Sequence, residues 1–252
     1  MVIEEGIARV NQFSECGSSV SDKRGVESLP TALGNILPHS SLSSREFPHK
    51  IDFPGRLRYL KPMIYLVLGL VLFLGVHSIS IVAPAWRDRT AARLGNAWRG
   101  LYSLITIAGF VIIIWGYGIA RQHPVFLYAP PAWTHYIAAV LMLPVFTLFL
   151  AAYLPGRIKS TFKHPMLFSV MLWAVAHLIA TGILANVVLF GGFLVWAMAD
   201  RMSFRWRTQR AIPMAPSMKL NDGIAIVAGL AIYVIFEHWL HLRWIGVQPL
   251  SM

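Results

Sequence analysis

Lys163 to Arg201 reads KHPMLFSVMLWAVAHLIATGILANVVLFGGFLVWAMADR, and this stretch decides the fold. From Met166 to Ala199 it runs 34 residues with a single ionisable side chain, His177. A soluble core helix is neither so long nor so apolar, whereas two membrane spans need about this length. A histidine in the middle of such a segment is costly without a partner, which makes His177 the first candidate functional residue.

The rest of the chain agrees. Of its 252 residues 56% are hydrophobic and 13% charged, and apolar runs long enough to cross a bilayer recur. Only helices satisfy their backbone groups in lipid with runs of this kind, so the expected fold is all-α, a polytopic membrane bundle of about six transmembrane helices. The six spans are placed at about 64–83, 101–120, 135–154, 166–183, 185–200 and 222–241, with a tight turn between the fourth and fifth near Thr181 to Asn186. The net charge of +11 would suggest nucleic acid in a soluble protein. Here the cations flank spans, so the expected partner is the lipid bilayer and no nucleic acid. A single cysteine, Cys16, excludes an intrachain disulfide and a cysteine-based metal site.

Residues 1–62 read differently. They are polar, rich in serine and carry no apolar stretch of a secretory signal, so they are expected to form a disordered extension ahead of a transmembrane domain at 63–252. Beyond residue 62, twelve Lys and Arg fall on one side of the six spans and two, Arg121 and Arg243, on the other. That imbalance assigns the basic side to the cytoplasm and the core termini to the periplasm of a bacterial inner membrane. Arg56, Arg58 and Lys61 sit on the side that should lack positive charge, a conflict that a translation start at Met63 would remove.

Depth sorts the nine histidines. At about 1.5 Å per residue, His77 falls in the cytoplasmic third of the first span and His177 near mid-membrane, one or two helical turns apart in depth. Two neutral imidazoles on separate helices are what a haem b needs as axial iron ligands. Gly75, Ser78, Ala174, Ala176, Ala180 and Gly182 would make room for a flat macrocycle, or would simply allow close helix packing. His164, before Pro165, is a capping or solvated residue, or a binder of an anionic group such as a haem propionate together with Arg157, Lys159 and Lys163. At the other side Glu237, His238 and His241 have a spacing that could suit one metal ion, although Trp239 and Trp244 fit an interfacial aromatic belt. Asn221-Asp222 reads as the N-terminal cap of the sixth span, and Phe190-Gly191-Gly192 as a packing motif.

Several blocks carry a family resemblance: LGLVLFLGVHSI (68–79), WRDRTAARLGNAWRGLYSLITIAGFVIIIWGY (86–117), GRIKSTFKHPMLFSVMLWAVAHLIATG (156–182), VLFGGFLVWAMADR (188–201), Asn221-Asp222 and HLRWIGV (241–247). In this order they resemble the NnrU family of bacterial integral membrane proteins, with Lys163 where the family has arginine before the His-Pro pair. The resemblance implies an association with denitrification and with nitric oxide or nitrite metabolism, and partners among denitrification or respiratory membrane proteins. The similar cis-zeta-carotene isomerases of plants and cyanobacteria imply haem b held by two axial histidines. By resemblance these are His77 and His177; the leading haem reading adds His164 as a partner of the cofactor's edge. The expected functions are a membrane haem b protein of nitric oxide metabolism, a haem-dependent polyene isomerase, or a haem-free assembly subunit.

Overall fold

The computed structural model describes residues 54–207, 210 and 212–249, and all regular structure among them is helical. The expectations for residues 1–53 lie outside the described residues. The helices are α1 (Pro54–Val82), α2 (Pro84–Leu94), α3 (Asn96–Ala120), α4 (Thr134–Ala151), α5 (Arg157–Phe162), α6 (Pro165–Ala180), α7 (Leu184–Ser203) and α8 (Asn221–Ile235). The last continues as a π-helix over Phe236–Ile245. α1 begins at Pro54, so residues 54–62 are helical and α1 continues through Met63 without a break.

Among the described residues five helical segments are long and apolar enough to cross a membrane: Lys61–Val82, Asn96–Ala120, Thr134–Ala151, Leu184–Ser203 and Asn221–Ile245. This is the pattern of a multi-pass membrane protein. The sixth expected span is the shorter apolar helix α6, whose 16 residues extend about 24 Å. Its ends explain its length. Pro165 occupies the first turn, where no N–H is needed. At the far end the Tyr128 hydroxyl donates to the carbonyls of Leu178 and Thr181, so the last turn is satisfied from outside the helix. The α3–α4 connection reinforces this stop, with Leu127 N donating to Gly182 O at 2.8 Å and Leu184 N to Val125 O at 2.8 Å. The turn expected between Thr181 and Asn186 is therefore present and held by another loop.

In space the order is α3, α1, α7, α6, α4, α8, with α7 packed against both α1 and α6, and α4 against both α6 and α8. Glycines set the closest approaches. A Cβ on Gly116 would stand 2.5 Å from Leu66 N, and one on Gly109 2.8 Å from Phe73 N, so α1 and α3 meet backbone to backbone. Leu66, Leu70, Ile113, Ala120, Ala174, Ala185, Leu189 and Phe190 fill the interior between α1, α3, α6 and α7.

One expectation is corrected here. Asn221-Asp222 does not cap its own helix, where Leu220 is the N-cap residue and no side chain bonds the first turn. Asp222 instead accepts from Arg157 N at 2.7 Å and Ile158 N at 3.1 Å, capping α5. Asn221 is fully buried and donates to Pro155 O and Pro216 O. The pair is a tertiary clamp between the start of α8 and the α4–α5 turn.

Gly116→Ala is expected to lower the thermal midpoint of the purified protein, by an overpacking cost of about 1–3 kcal/mol. Gly118→Ala, on the same helix with open space around it, should leave the midpoint unchanged.

Candidate functional site

Each intramembrane histidine follows an aromatic residue by one helical turn. Phe73 precedes His77, and Trp173 precedes His177. The histidine rings turn back along their helices. His77 Nδ1 donates to Phe73 O at 2.7 Å, and His177 Nδ1 donates to Trp173 O at 2.8 Å. Those bonds fix the tautomer of each neutral ring and leave Nε2 with its lone pair uncommitted.

Three helices surround the His77 ring. It stacks on Phe73 at 4.5 Å and meets Tyr102 of α3 and Trp196 of α7 edge-on at 5.6 and 5.8 Å. The Trp196 indole N–H beside it is buried without an acceptor. His177 stacks on Phe190 of α7 at 4.3 Å and lies tilted to Trp173 at 5.5 Å. Phe193 of α7 joins the two environments, with its ring 5.7 Å from Phe73 and 5.4 Å from Trp173.

The two histidine rings thus meet one helix at different heights. Trp196 and Phe190 are six residues apart on α7, about 9 Å along its axis. That agrees with the expected depth offset. It differs from a closed bis-histidine site, where metal–imidazole bonds of about 2 Å put the two ring nitrogens about 4 Å apart. The donor chemistry fits a haem: two neutral imidazoles with anchored Nδ1 and free Nε2, and an indole donor still to be satisfied. As placed, the rings lie in series along α7, with Phe193 between their aromatic partners. Of the small residues expected to make room, Ala174 and Ala176 are fully buried in packing, and a Cβ on Gly182 would run into the Tyr128 backbone. Gly75 does have open space beside it.

His164 stands at the helix start, as the capping alternative expects, although its side chain makes no cap bond there. It is the N-cap residue of α6, and its ring stacks on Phe204 at 3.9 Å, within 3° of parallel. The Arg207 guanidinium sits 4.2 Å from the same Phe204 ring and pairs with Asp200. Arg207 Nε also donates to Ser203 Oγ at 2.6 Å. Burial, then the charges of Arg201, Arg207 and Lys163, hold the His164 ring below its ordinary protonation range, with Asp200 opposing them. Lys159, expected beside His164, instead donates to Ala152 O at 2.7 Å and closes the end of α4. The cations around His164 are therefore Arg201 and Arg207 with Lys163.

At the opposite end, Glu237, His238 and His241 form no metal site. Among the described residues no group of three or more His, Cys, Asp or Glu is placed to hold an ion. The reason is the π-helix, whose wider turn separates the faces that an α-helix would share at i, i+3. His238 Nδ1 donates to Val234 O and His241 Nδ1 to Val247 O, each tying its ring to the backbone. Arg121 secures the end of the π-helix by donating to Ile245 O at 2.7 Å.

Sequence reasoning found the histidines and missed their ring partners Tyr102, Phe190, Phe193 and Trp196. The aromatic residue one turn before each histidine was a usable signal for Phe73 and Trp173. Residues 65–249 match the model of the NnrU protein family. No curated protein and no solved structure matches the chain.

Arg201→Gln should raise the His164 titration midpoint toward the ordinary value of about 6.5, read from its ring resonances by NMR. In the wild type, stability should fall as pH drops below that value, because the unfolded chain then takes up a proton that folded His164 resists.

Proposed function

The chain belongs to the NnrU family, and on that footing we propose that it is a membrane haem b protein serving nitric oxide or nitrite metabolism. The observation that carries the reading is the matched pair of intramembrane imidazoles, each with Nδ1 tied to the carbonyl one turn back and Nε2 free. His77 and His177 would hold the iron. The bound haem would supply a redox-active centre able to take a diatomic ligand. The chain's own residues do the rest. Phe73, Trp173 and Phe190 hold the imidazole planes, and the apolar helices keep water from them. Asp200 and the His164–Phe204–Arg207 stack provide the polar end where an anionic edge of the cofactor would meet cations.

The serial placement of His77 and His177 gives the reading a specific form. One imidazole would be the permanent ligand and the other, offset along α7, would supply the second. Bound there, haem would supply a redox-active centre, which suits a sensor of nitric oxide, an electron carrier or a maturation factor. The basic end of the bundle lies in the cytoplasm of a bacterial inner membrane, and the core termini face the periplasm.

A second reading is a haem-dependent isomerase of a polyene. It is favoured by an apolar groove of about 400 Å³ that reaches Trp173, the ring next to His177. Host gene content separates the two: denitrification genes without carotenoid desaturases support the first, and the reverse supports the second.

Haem content of purified His77→Ala and His177→Ala tests the site itself. Each should lose the low-spin signal, and the variant lacking the permanent ligand should also lose most of its haem. Unchanged haem content and spin state in both would remove these residues from the site.

A further inference from the structure

The groove between α6 and α8 has α4 as its floor, because both helices pack on α4. Its volume of about 400 Å³ lies in the range of ligand pockets. Phe146, Phe149, Leu150, Val170, Trp173 and Ile232 line it. The one hydroxyl in the lining, Ser169, is already donated to Val145 O at 2.8 Å. Apart from the indole N–H of Trp173, no polar side-chain group in this lining is left to receive a polar ligand, so the wall suits hydrocarbon. Lengthwise it starts at the basic end of the bundle. Leu150 is one residue from the end of α4, and Ser169 lies four residues into α6 after Pro165. From Ala151 to Val145 it descends about 9 Å toward the membrane centre.

Cations surround the mouth. α5 lies across the ends of α4 and α6, and Asp222 at the start of α8 caps its first turn. Arg157 opens α5, Lys163 ends it, and Lys219 precedes α8; all three side chains are exposed. Among the described residues the carboxylate at the start of α8 is Asp222, which accepts from the backbone N–H groups of Arg157 and Ile158. An apolar slot opening under three exposed cations and one carboxylate has a net positive mouth and complements one type of bilayer molecule, an anionic phospholipid.

We propose that this groove is a specific phospholipid site. One acyl chain lies along α4 between α6 and α8, ending against Trp173, and the phosphate group sits among Arg157, Lys163 and Lys219. The site goes beyond the haem reading and does not depend on it. Trp173 is shared, so the acyl chain would brace the helix that presents His177.

Native mass spectrometry of the full chain, delipidated in detergent and given back phosphatidylglycerol or phosphatidylcholine, tests the site. The expected result is one phosphatidylglycerol retained per chain in preference to phosphatidylcholine. Combined Arg157→Gln, Lys163→Gln and Lys219→Gln should weaken retention about tenfold or more. These side chains are on the surface, so the variant tests the charges and not the fold. Val170→Trp should abolish retention by filling the slot. Equal retention of both lipids, no retained lipid, or retention unchanged in the charge variant would each overturn the proposal. Haem content is read separately on the same samples, so a failed haem reading would leave this result standing.

Discussion

Phe193 of α7 is the contact on which the arrangement of both intramembrane histidines depends. Its ring touches Phe73, which carries His77 one turn later, and Trp173, which carries His177 one turn later. Because α7 is the only helix among those described that packs extensively on both α1 and α6, the relative height of the two imidazoles is set by how these helices seat on it. In lipid there is little hydrophobic drive to hold helices together, so packing of this kind and a few hydrogen bonds must do so. The ring row Phe73, Phe193, Trp173 provides the packing, and the backbone bonds of His77 and His177 fix ring orientation within it.

The helix ends are held by residues distant in sequence. Tyr128 stops α6, Asp222 caps α5, Asn221 clamps the α4–α5 turn, and Arg121 closes the π-helix. Tyr117, from α3, donates to Asn186 Oδ1 at 2.7 Å, and Asn186 bonds Thr181 at the same turn. On the basic side Arg210 makes two bonds to Asp88, at 2.9 and 3.0 Å, which pull the segment after α7 onto α2. The pair at Arg210 holds the Asp88 carboxyl below the usual carboxylate range, and screening at this exposed position keeps its stabilising effect small. The loops are therefore structural parts of the bundle, and α6 can be short because they complete it.

Much of this was legible in the sequence for a simple reason. Uninterrupted apolar length is dictated by the thickness of the bilayer, so the spans, the turn after Thr181 and the asymmetry of Lys and Arg could be read residue by residue. The histidines stood out because ionisable groups are rare in such runs. Their surroundings did not, since Phe190, Phe193 and Trp196 look like ordinary span residues until α7 is placed against its neighbours. Asp222 looked like a local cap because sequence reports only local partners, while its real partners are 64 and 65 residues away. At Glu237, His238 and His241 the spacing alone left a metal site and an interfacial belt both open, because the sequence does not show that the chain there is a π-helix. A short span can be foreseen from Pro165 and Gly182, but the tyrosine that ends it lies on another loop.

The most direct test of the account is an oxidised-minus-reduced visible spectrum of the detergent-purified protein after haem-replete expression. The account predicts a b-type signal with about one haem per chain, carried by imidazoles whose Nδ1 atoms are already anchored. A folded, pure protein without a Soret band would contradict it and reduce His77 and His177 to residues that tie their helices to α7.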